Sequence, residues 1–257
     1  MTLPRRTLGS TGIEVSAIGL GTVKLGRSTG LSVAPFAIPG TRAARALLDR
    51  ARELGVNLLD TAPAYGESEE RLGRLLDGAR DRWVLCTKAG ESFDGRRSHH
   101  DFTPKAIQGS VEASLRRLRT EYLDIVLIHS DGRDVDILRQ SDALETLDAL
   151  KRAGKIRASG FSHKTQEGGR LALSSCDVLM SALSFTDRRQ IDVVRDAGVN
   201  GVGVLVKKAL DSGRAPPESL GYVAALPGVS SVVVGTVDPV HLEADIVAAG
   251  FAQEPFA

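Results

Sequence analysis

Four polar residues at or just past the ends of apolar runs have the types that carbonyl reduction requires. Asp60 closes the run VNLLD, Lys88 closes WVLCTK and His129 closes YLDIVLIH. Tyr65 follows Asp60 in the segment DTAPAYG. A carbonyl that receives a hydride needs a proton donor at the developing alkoxide. A tyrosine suits that task if a neighbouring cation lowers its pKa from about 10.

These residue types predict a division of labour. Lys88 would supply the positive charge beside Tyr65, and Asp60 would hold Lys88 in place and keep it protonated. His129 would orient the substrate oxygen or share in a proton relay. Taken singly, each residue also has a structural explanation. Asp60 could cap a helix, Tyr65 could pack in a loop, and His129 could be a hydrogen-bonded histidine of the core. A lysine at an apolar strand end is harder to explain without a partner, so the joint arrangement favours a catalytic site.

Alternating apolar runs and amphipathic patterns predict the elements that position these residues. Eight runs rich in Val, Ile and Leu indicate strands buried on both faces, at 17–22, 56–61, 83–88, 122–129, 155–162, 177–184, 201–206 and 230–236. Eight strand–helix units in about 250 residues fit a single (β/α)8 TIM barrel, with a doubly wound open sheet as the alternative. In a barrel, the carboxyl ends of the strands form one rim, so the four polar residues would meet there.

Helical periodicity fills the intervals between these strands. The segments 41–54, 67–77 and 104–118 each place apolar residues on one face. Asp142 and Glu145 have the spacing of a capping box ahead of another helix. The remaining predictions are a weak helix at 165–173, where Gly168–Gly169 lowers helix propensity, a short helix within 214–227, a last helix from Asp238–Pro239 to Gly250, and an N-terminal hairpin with its turn at Thr11–Gly12.

Composition excludes several classes of protein. The chain has 257 residues, 42% of them hydrophobic and 25% charged, and a formal net charge of +1. We therefore expect one globular domain over 1–257, with no nucleic-acid or membrane partner. Only two cysteines, Cys86 and Cys176, are present, which argues against a disulfide scaffold and favours a cytoplasmic location. We expect a monomer, with an oligomer left open, and no metal site, because His99–His100 lacks further ligands nearby.

Several separate motifs resemble the aldo-keto reductase family: DTAPAYGESEERLGRLL, TKAG, LRRLRTEYLDIVLIHS and LDALKRAGKIRASGFS. The likeness runs from LGSTGIEVSAIGLGT to VVVGTVDPVHL. It implies a (β/α)8 barrel that binds NADP(H), or less often NAD(H), without a Rossmann fold and reduces an aldehyde, ketone or sugar. The family's catalytic tetrad matches Asp60, Tyr65, Lys88 and His129, with the tyrosine as the general acid.

The resemblance also implies a nicotinamide end of the cofactor site. Its residues would be Gly21, Thr22, Ser162, His163, Met180 and Lys207. Three of them depart from the family pattern. His163 stands where asparagine is usual, Met180 where glutamine is usual, and Lys207 where an aromatic residue commonly stacks on the nicotinamide.

The pyrophosphate and adenosine end would be formed by Leu210, Ser212, Gly213, Gly235, Thr236, His241 and Asp245. A 2′-phosphate selects for cations, and Gly235 with a neutral His241 offers less positive charge than the usual lysine and arginine. Backbone N–H groups of Gly235–Thr236 and of the helix start are another way to hold a phosphate. The resemblance to the family favours NADP(H), whereas the lower positive charge at these positions leaves NAD(H) open.

The segment GFAQEPFA after the last predicted helix is a short C-terminal tail. We expect an open substrate pocket built from loops at 23–40, 89–102 and 130–140. Two other functions stay open. One is a catalytically weak nucleotide-binding regulatory protein of the same fold, favoured by Met180, Lys207 and the tail. The other is a metal- or Schiff-base-dependent barrel enzyme with Lys88 as its nucleophile.

Overall fold

A computed structural model describes residues 3–31 and 35–251 of the chain. Their strands are β1 (Arg5–Thr7), β2 (Glu14–Ser16), β3 (Ile18–Gly21), β4 (Leu58–Asp60), β5 (Val84–Ala89), β6 (Glu91–Phe93), β7 (Ser98–His100), β8 (Leu123–His129), β9 (Ile156–Ser162), β10 (Val178–Ala182), β11 (Gly203–Lys207) and β12 (Val229–Val234). Eight of them form a closed parallel barrel in the order β3-β4-β5-β8-β9-β10-β11-β12, with β12 paired to β3. The predicted (β/α)8 barrel and its N-terminal hairpin, β1–β2, are confirmed.

Helices surround the barrel in the described residues. They are α1 (Thr41–Glu53), α2 (Ser68–Leu75), α3 (Pro104–Leu118), α4 (Asp134–Gln140), α5 (Ala143–Arg152), α6 (Gln166–Ala172), α7 (Ile191–Val199), α8 (Glu218–Ala224) and α9 (Pro239–Ala248). Within the described residues, no helix has both the length and the apolar character needed to cross a membrane. The predicted tail beyond residue 251 lies outside the described residues.

Alternation along each barrel strand separates two apolar clusters. In β8, Ile125 and Leu127 belong to the cluster inside the barrel, whereas Val126 and Ile128 pack outward against the helices. The inner cluster also takes in Leu8 from the N-terminal hairpin. Successive side chains of a strand point to opposite faces, so every second residue of each strand faces the barrel axis.

Local structure departs from the sequence predictions at several places. Much of the expected loop at 130–140 is helix α4, and part of the expected loop at 89–102 is the hairpin β6–β7. The capping box is wrong: the Asp142 side chain makes no cap hydrogen bond. Thr146 Oγ1 donates instead to the backbone oxygen of Asp142 at 2.7 Å.

Helix α6 forms at the predicted weak helix, and its two glycines are required there because neighbouring residues leave no room for side chains. A Cβ on Gly168 would lie 2.1 Å from the Asp134 Cβ, and one on Gly169 would lie 2.7 Å from Cε1 of His163. Tight packing therefore outweighs the low helix propensity of glycine, which costs about 1 kcal/mol per residue.

Candidate active site

Strand register explains why the predicted catalytic residues converge. Asp60 pairs with Cys86 between β4 and β5, and Lys88 pairs with Leu127 between β5 and β8. Cys86 and Leu127 belong to the inner cluster. Lys88 and His129 each follow an inward-facing residue by two positions, so both face the barrel axis. Asp60 is level with the residue two before Lys88, and Lys88 is level with the residue two before His129. The three side chains therefore lie at successive heights in the opening formed by the carboxyl ends of the barrel strands, which is called the mouth below.

Lys88 and Asp60 form a buried ion pair in this mouth. The Lys88 Nζ donates to Asp60 Oδ1 at 2.5 Å and to the Thr61 carbonyl at 2.9 Å. Lys88 is 1% exposed. Burial alone would lower the pKa of Lys88, but the Asp60 carboxylate, together with Tyr65 and Cys86, outweighs burial and raises the pKa above its usual range. Lys88 therefore stays protonated and lacks the free electron pair that Schiff-base chemistry requires.

Tyr65 lies beside this ion pair, in a single helical turn, Pro63–Tyr65, after β4. The Lys88 Nζ is 4.7 Å from the centroid of the Tyr65 ring. Burial raises the pKa of Tyr65, the Asp60 carboxylate raises it further, and Lys88 only partly opposes both. The expected net lowering by Lys88 is therefore wrong in the protein alone. The phenol is held in its protonated form, which is the form that donates a proton.

His129 completes the group and brings in a residue that the sequence analysis missed. The rings of His129 and Tyr65 meet edge to face, with centroids 6.2 Å apart. The Nδ1 of His129 lies 2.7 Å from Glu91 Oε2, although the pair lacks the alignment of a hydrogen bond. The other oxygen, Oε1, is 3.9 Å from Nε2 of His100. Burial lowers the pKa of His129 to about 4, against the opposing effect of Glu91, so the ring is neutral at physiological pH.

Glu91 reaches His129 because β6 and β7 form a hairpin over the mouth. The turn of the hairpin contains Asp94 and Gly95, and Gly95 has a φ of +93°. An Asp-Gly pair between two short strands is a known hairpin signal. That signal was available in the sequence, and it would have placed Glu91 above the end of β5.

Lys207 and Ser162 add a second polar contact to the mouth. Ser162 pairs with His129 in the β8–β9 register and is fully buried. Lys207 ends β11 two residues after the inward-facing Leu205. Its Nζ donates to Ser162 Oγ at 2.7 Å. Burial lowers the pKa of Lys207 to about 7, and the nearby Lys88 charge acts in the same direction.

The two other departures from the family pattern have different surroundings. Met180 is 1% exposed within the inner apolar cluster. His163 is fully buried on the outer side of the wall, between β10 and α6. Its Nδ1 lies 3.0 Å from the Thr165 carbonyl, which can only accept, so Nε2 accepts from Ser181 Oγ at 2.6 Å. Both ring nitrogens of His163 are therefore engaged by the protein itself.

Gly21 and Thr22 lie where the barrel strand β3 meets β4. Both are buried. Thr22 Oγ1 donates to the backbone oxygen of Asp60 at 2.9 Å and lies 2.8 Å from Ser68 Oγ. These contacts tie the end of β3 to the residue that carries the Asp60 carboxylate.

The loop after β11 has an unusual backbone. Asp211, Ser212 and Gly213 all have positive φ values, of 44°, 59° and 89°. Left-handed conformations of non-glycine residues cost about 1–3 kcal/mol each and cluster at ligand clamps. Leu210, at the start of this loop, is partly buried. The strain lies where the resemblance implies a pyrophosphate.

The predicted adenosine end carries acidic groups. Asp238 Oδ1 accepts from the Val240 N–H at 2.8 Å, so its carboxylate already caps α9. Asp238 Oδ2 lies 3.9 Å from Nδ1 of the exposed His241. Burial raises the pKa of the partly buried Asp245 to about 6. A Cβ on Gly235 would meet no atom within 4 Å, and Thr236 Oγ1 accepts from the Asp238 N–H at 3.1 Å.

Known proteins share both this fold and its sequence pattern. The model of the aldo/keto reductase family matches residues 17–219. The chain is 31% identical to the L-galactose dehydrogenase of Arabidopsis thaliana, covering 83% of this chain and 68% of that protein. It is 30% identical to the NADH-specific methylglyoxal reductase of Escherichia coli, covering 80% of this chain and 67% of that protein.

Solved structures agree with the sequence matches. An aldo-keto reductase structure from Pseudomonas aeruginosa superposes with a TM-score of 0.90 at 48% identity, covering 96% of this chain and 95% of that one. The holo form of an aldo-keto reductase from Bacillus halodurans gives a TM-score of 0.83 at 25% identity, covering 99% of this chain and 93% of that one. The chain therefore belongs to the aldo/keto reductase family and is an oxidoreductase.

Proposed function

We propose that this oxidoreductase transfers a hydride between a nicotinamide cofactor and the carbonyl group of an aldehyde, ketone or sugar, with Tyr65 as the general acid. The observation that carries the proposal is the ion pair of Lys88 with Asp60, 1% exposed for the lysine and 2.5 Å long, beside the Tyr65 ring. A buried charge pair of this kind is expensive to desolvate. Its position beside a protonated phenol is what proton transfer to a carbonyl oxygen requires.

The residues of the mouth divide the proton chemistry. Tyr65 donates its phenolic proton to the carbonyl oxygen, and the Lys88 ammonium stabilises the phenolate that remains. Asp60 keeps Lys88 charged. The negative charge of Glu91, 2.7 Å from Nδ1, favours the tautomer of neutral His129 with its hydrogen on Nδ1, which leaves Nε2 as an acceptor for a hydroxyl. That arrangement suits the alcohol product or a sugar hydroxyl.

A nicotinamide cofactor fits the residues around this mouth, and when bound it supplies the hydride. Two of the three Lys207 ammonium hydrogens remain for other partners beyond Ser162. The left-handed loop at 211–213 and the open space at Gly235 would hold the phosphates and the adenosine. NADP(H) is the favoured cofactor on the family resemblance. NAD(H) is the second candidate, because the Asp238 carboxylate caps α9 where a 2′-phosphate would bring further negative charge.

Cofactor titration followed by a substrate screen tests this function. Purified protein should bind NADPH or NADH by fluorescence and oxidise the preferred one with a member of an aldehyde, ketone and sugar panel. Tyr65→Phe should lower kcat by about 10²–10⁴, the usual contribution of a general acid, and leave the cofactor Kd unchanged.

Tyr122→Phe is the matched control, because Tyr122 directly precedes β8, at the end of the barrel opposite the mouth, and its ring packs against Arg80. It should keep full activity. Full activity in Tyr65→Phe would exclude Tyr65 as the acid. Failure to bind or oxidise either cofactor would refute the proposed function. Tight cofactor binding with negligible turnover would favour the regulatory alternative.

A further inference from the structure

The mouth holds a second lysine whose charge has no carboxylate partner. Lys88 is paired with Asp60 at 2.5 Å, whereas the described residues place no Asp or Glu oxygen within 4 Å of Lys207. The one hydrogen bond of the Lys207 ammonium within those residues goes to Ser162 Oγ. Buried or partly buried lysines are rare without a partner, so this charge needs an explanation.

Strand order shows where the Lys207 side chain runs. Lys207 ends β11 and Ser162 ends β9, with β10 lying between them. Neighbouring strands are about 4.8 Å apart, so the side chain extends across the mouth toward the axis. Ser162 is the register partner of His129. The ammonium therefore lies in the same opening as the proposed carbonyl site.

A nicotinamide ring that transfers a hydride must also occupy this opening. Reacting atoms must approach to about 3–3.5 Å, and the interior of an eight-stranded barrel is just wide enough for side chains. A ring close to a carbonyl at Tyr65 and His129 is therefore close to Lys207. The reduced ring is neutral and the oxidised ring carries a positive charge, so only the oxidised ring is repelled by the ammonium.

We propose that Lys207 makes the site select the reduced cofactor over the oxidised one, and thereby favours carbonyl reduction. This inference rests on the proposed nicotinamide-dependent function. In the reduction, Tyr65 gives its proton to the carbonyl oxygen and takes one back from solvent, and the cofactor would supply the hydride. The Lys207 ammonium would then be repelled by an oxidised, cationic ring until Lys207 loses its proton to solvent or the oxidised cofactor dissociates. Two unit charges about 6 Å apart at an effective dielectric of about 20 repel enough to change an affinity about 100-fold.

Proton linkage sets the pH at which the selection operates. With a pKa of about 7, Lys207 is largely charged at pH 6 and largely neutral at pH 8. If only the neutral amine tolerates the oxidised ring, the Kd of the oxidised cofactor is about 10-fold larger at pH 6 than at pH 8. The Kd of the reduced cofactor carries no such factor. If the cofactor carries a 2′-phosphate, its titration affects the Kd of both redox forms equally and therefore cancels in the ratio of the oxidised Kd to the reduced Kd.

Charged and titratable groups around Lys207 do not produce the same behaviour between pH 6 and pH 8. His129 and His163, each with a pKa of about 4, stay neutral there, and Lys88 stays protonated. The charged and titratable groups that interact electrostatically with Lys207 are Lys88, Lys208, Asp60, Lys164, His129 and His163.

Calorimetric titration of the whole protein with oxidised and reduced cofactor at pH 6, 7 and 8 tests the proposal. The ratio of the oxidised Kd to the reduced Kd should fall about 10-fold from pH 6 to pH 8 in the natural protein. Lys207→Met should give a low ratio without pH dependence. Lys207→Arg, which stays charged, should give a high ratio without pH dependence. Lys105→Met, at an exposed position in the first turn of α3 whose charge does not act on Lys207, is the control and should keep the pH dependence.

Four other results would overturn the proposal. Equal weakening of both redox forms in Lys207→Met would assign the ammonium to the cofactor phosphates. A change confined to the KM of carboxylate-bearing carbonyl compounds would assign it to an anionic substrate. A pH-independent ratio in the natural protein would remove the inference and leave the proposed function intact, whereas absence of all cofactor binding would remove both.

Discussion

Removing the charge of Asp60 should strongly destabilise the protein, because Lys88 would then be a buried cation without a counter-ion. Asp60→Asn keeps the size and shape of the side chain. The Lys88 ammonium, 1% exposed, would retain only the Thr61 carbonyl at 2.9 Å and a neutral amide. The described contacts offer no second carboxylate within 4 Å to replace Asp60.

The expected size follows from the burial of the pair. Breaking one side of a buried ion pair costs about 3–5 kcal/mol. Domains are stable by about 5–15 kcal/mol in total, so the variant should lose a large part of its free energy of unfolding. With an m value of about 2.5 kcal/mol/M in urea, a loss of about 4 kcal/mol moves the unfolding midpoint down by about 1.5 M.

Urea unfolding followed by circular dichroism at pH 7 measures this shift. Asp187→Asn is the matched control, because the Arg189–Asp187 pair has a similar length, 2.7 Å, but side chains that are 83% and 34% exposed. Exposed pairs contribute about 0–1 kcal/mol, so the control should move the midpoint little. Equal small shifts in both variants would refute the reasoning that the Lys88–Asp60 pair lies in a low-dielectric environment.

The pH dependence provides a second check with a definite sign. In the natural protein, the folded pKa of Lys88 lies above its unfolded value of about 10.4. The stability contributed by the pair is therefore complete below about pH 10 and is lost as the pH rises further. In Asp60→Asn, burial without a carboxylate puts the folded pKa of Lys88 below about 10.4. The deficit of the variant should therefore shrink as the pH approaches about 10.

Two further substitutions test other parts of the site. Glu91→Gln should lower the pKa of His129, because the Glu91 carboxylate raises it. In a plot of kcat against pH, the fall in activity caused by protonation of His129 should therefore move to lower pH, and kcat should fall about 10-fold. An unshifted plot would show that Glu91 does not position His129. Gly168→Ala should lower the free energy of unfolding by about 1–3 kcal/mol, because the added Cβ would meet Asp134. Gly109→Ala is the control: its added Cβ would meet no atom within 4 Å, so it should raise the free energy of unfolding by about 0.5–1 kcal/mol. Equal effects of the two glycine substitutions in urea unfolding would contradict the packing argument.

The barrel could be predicted from sequence because its strands are defined locally. Each is an apolar run, and three of them carry a predicted catalytic residue at or next to the carboxyl end, with an inward direction that follows from the period of two along a strand. Asp60, Lys88 and His129 could therefore be assigned to one rim from the amino-acid pattern alone.

Helix α4 could not be predicted in the same way, because its position depends on contacts between distant segments. Its sequence, DVDILRQ, has only seven residues, too few for a helical periodicity to stand out. The buried Asp134 at its start accepts hydrogen bonds from the backbone N–H groups of Lys164 and Thr165 at 2.9 and 2.6 Å. These partners lie 30 and 31 residues further along the chain, where sequence periodicity gives no signal.

The Tyr65 pKa was out of reach of sequence reasoning for a different reason. The sequence indicated which charges would lie near the phenol, and Lys88 and Asp60 were both identified. It did not indicate how much burial would add to their opposing effects. Burial proves to be the largest cause of the shift in the Tyr65 pKa, so the net direction depends on solvent exclusion, which only the assembled mouth determines.

The three departures from the family pattern at the nicotinamide end differ in consequence because they face different surroundings. His163 engages both ring nitrogens with the protein outside the barrel wall, and Met180 adds an uncharged side chain to the inner cluster. Lys207 alone of the three brings a charge into the mouth. Because Asp60, Tyr65, Lys88 and His129 all remain in place there, that charge should alter the balance between cofactor redox states more than the proton transfer itself.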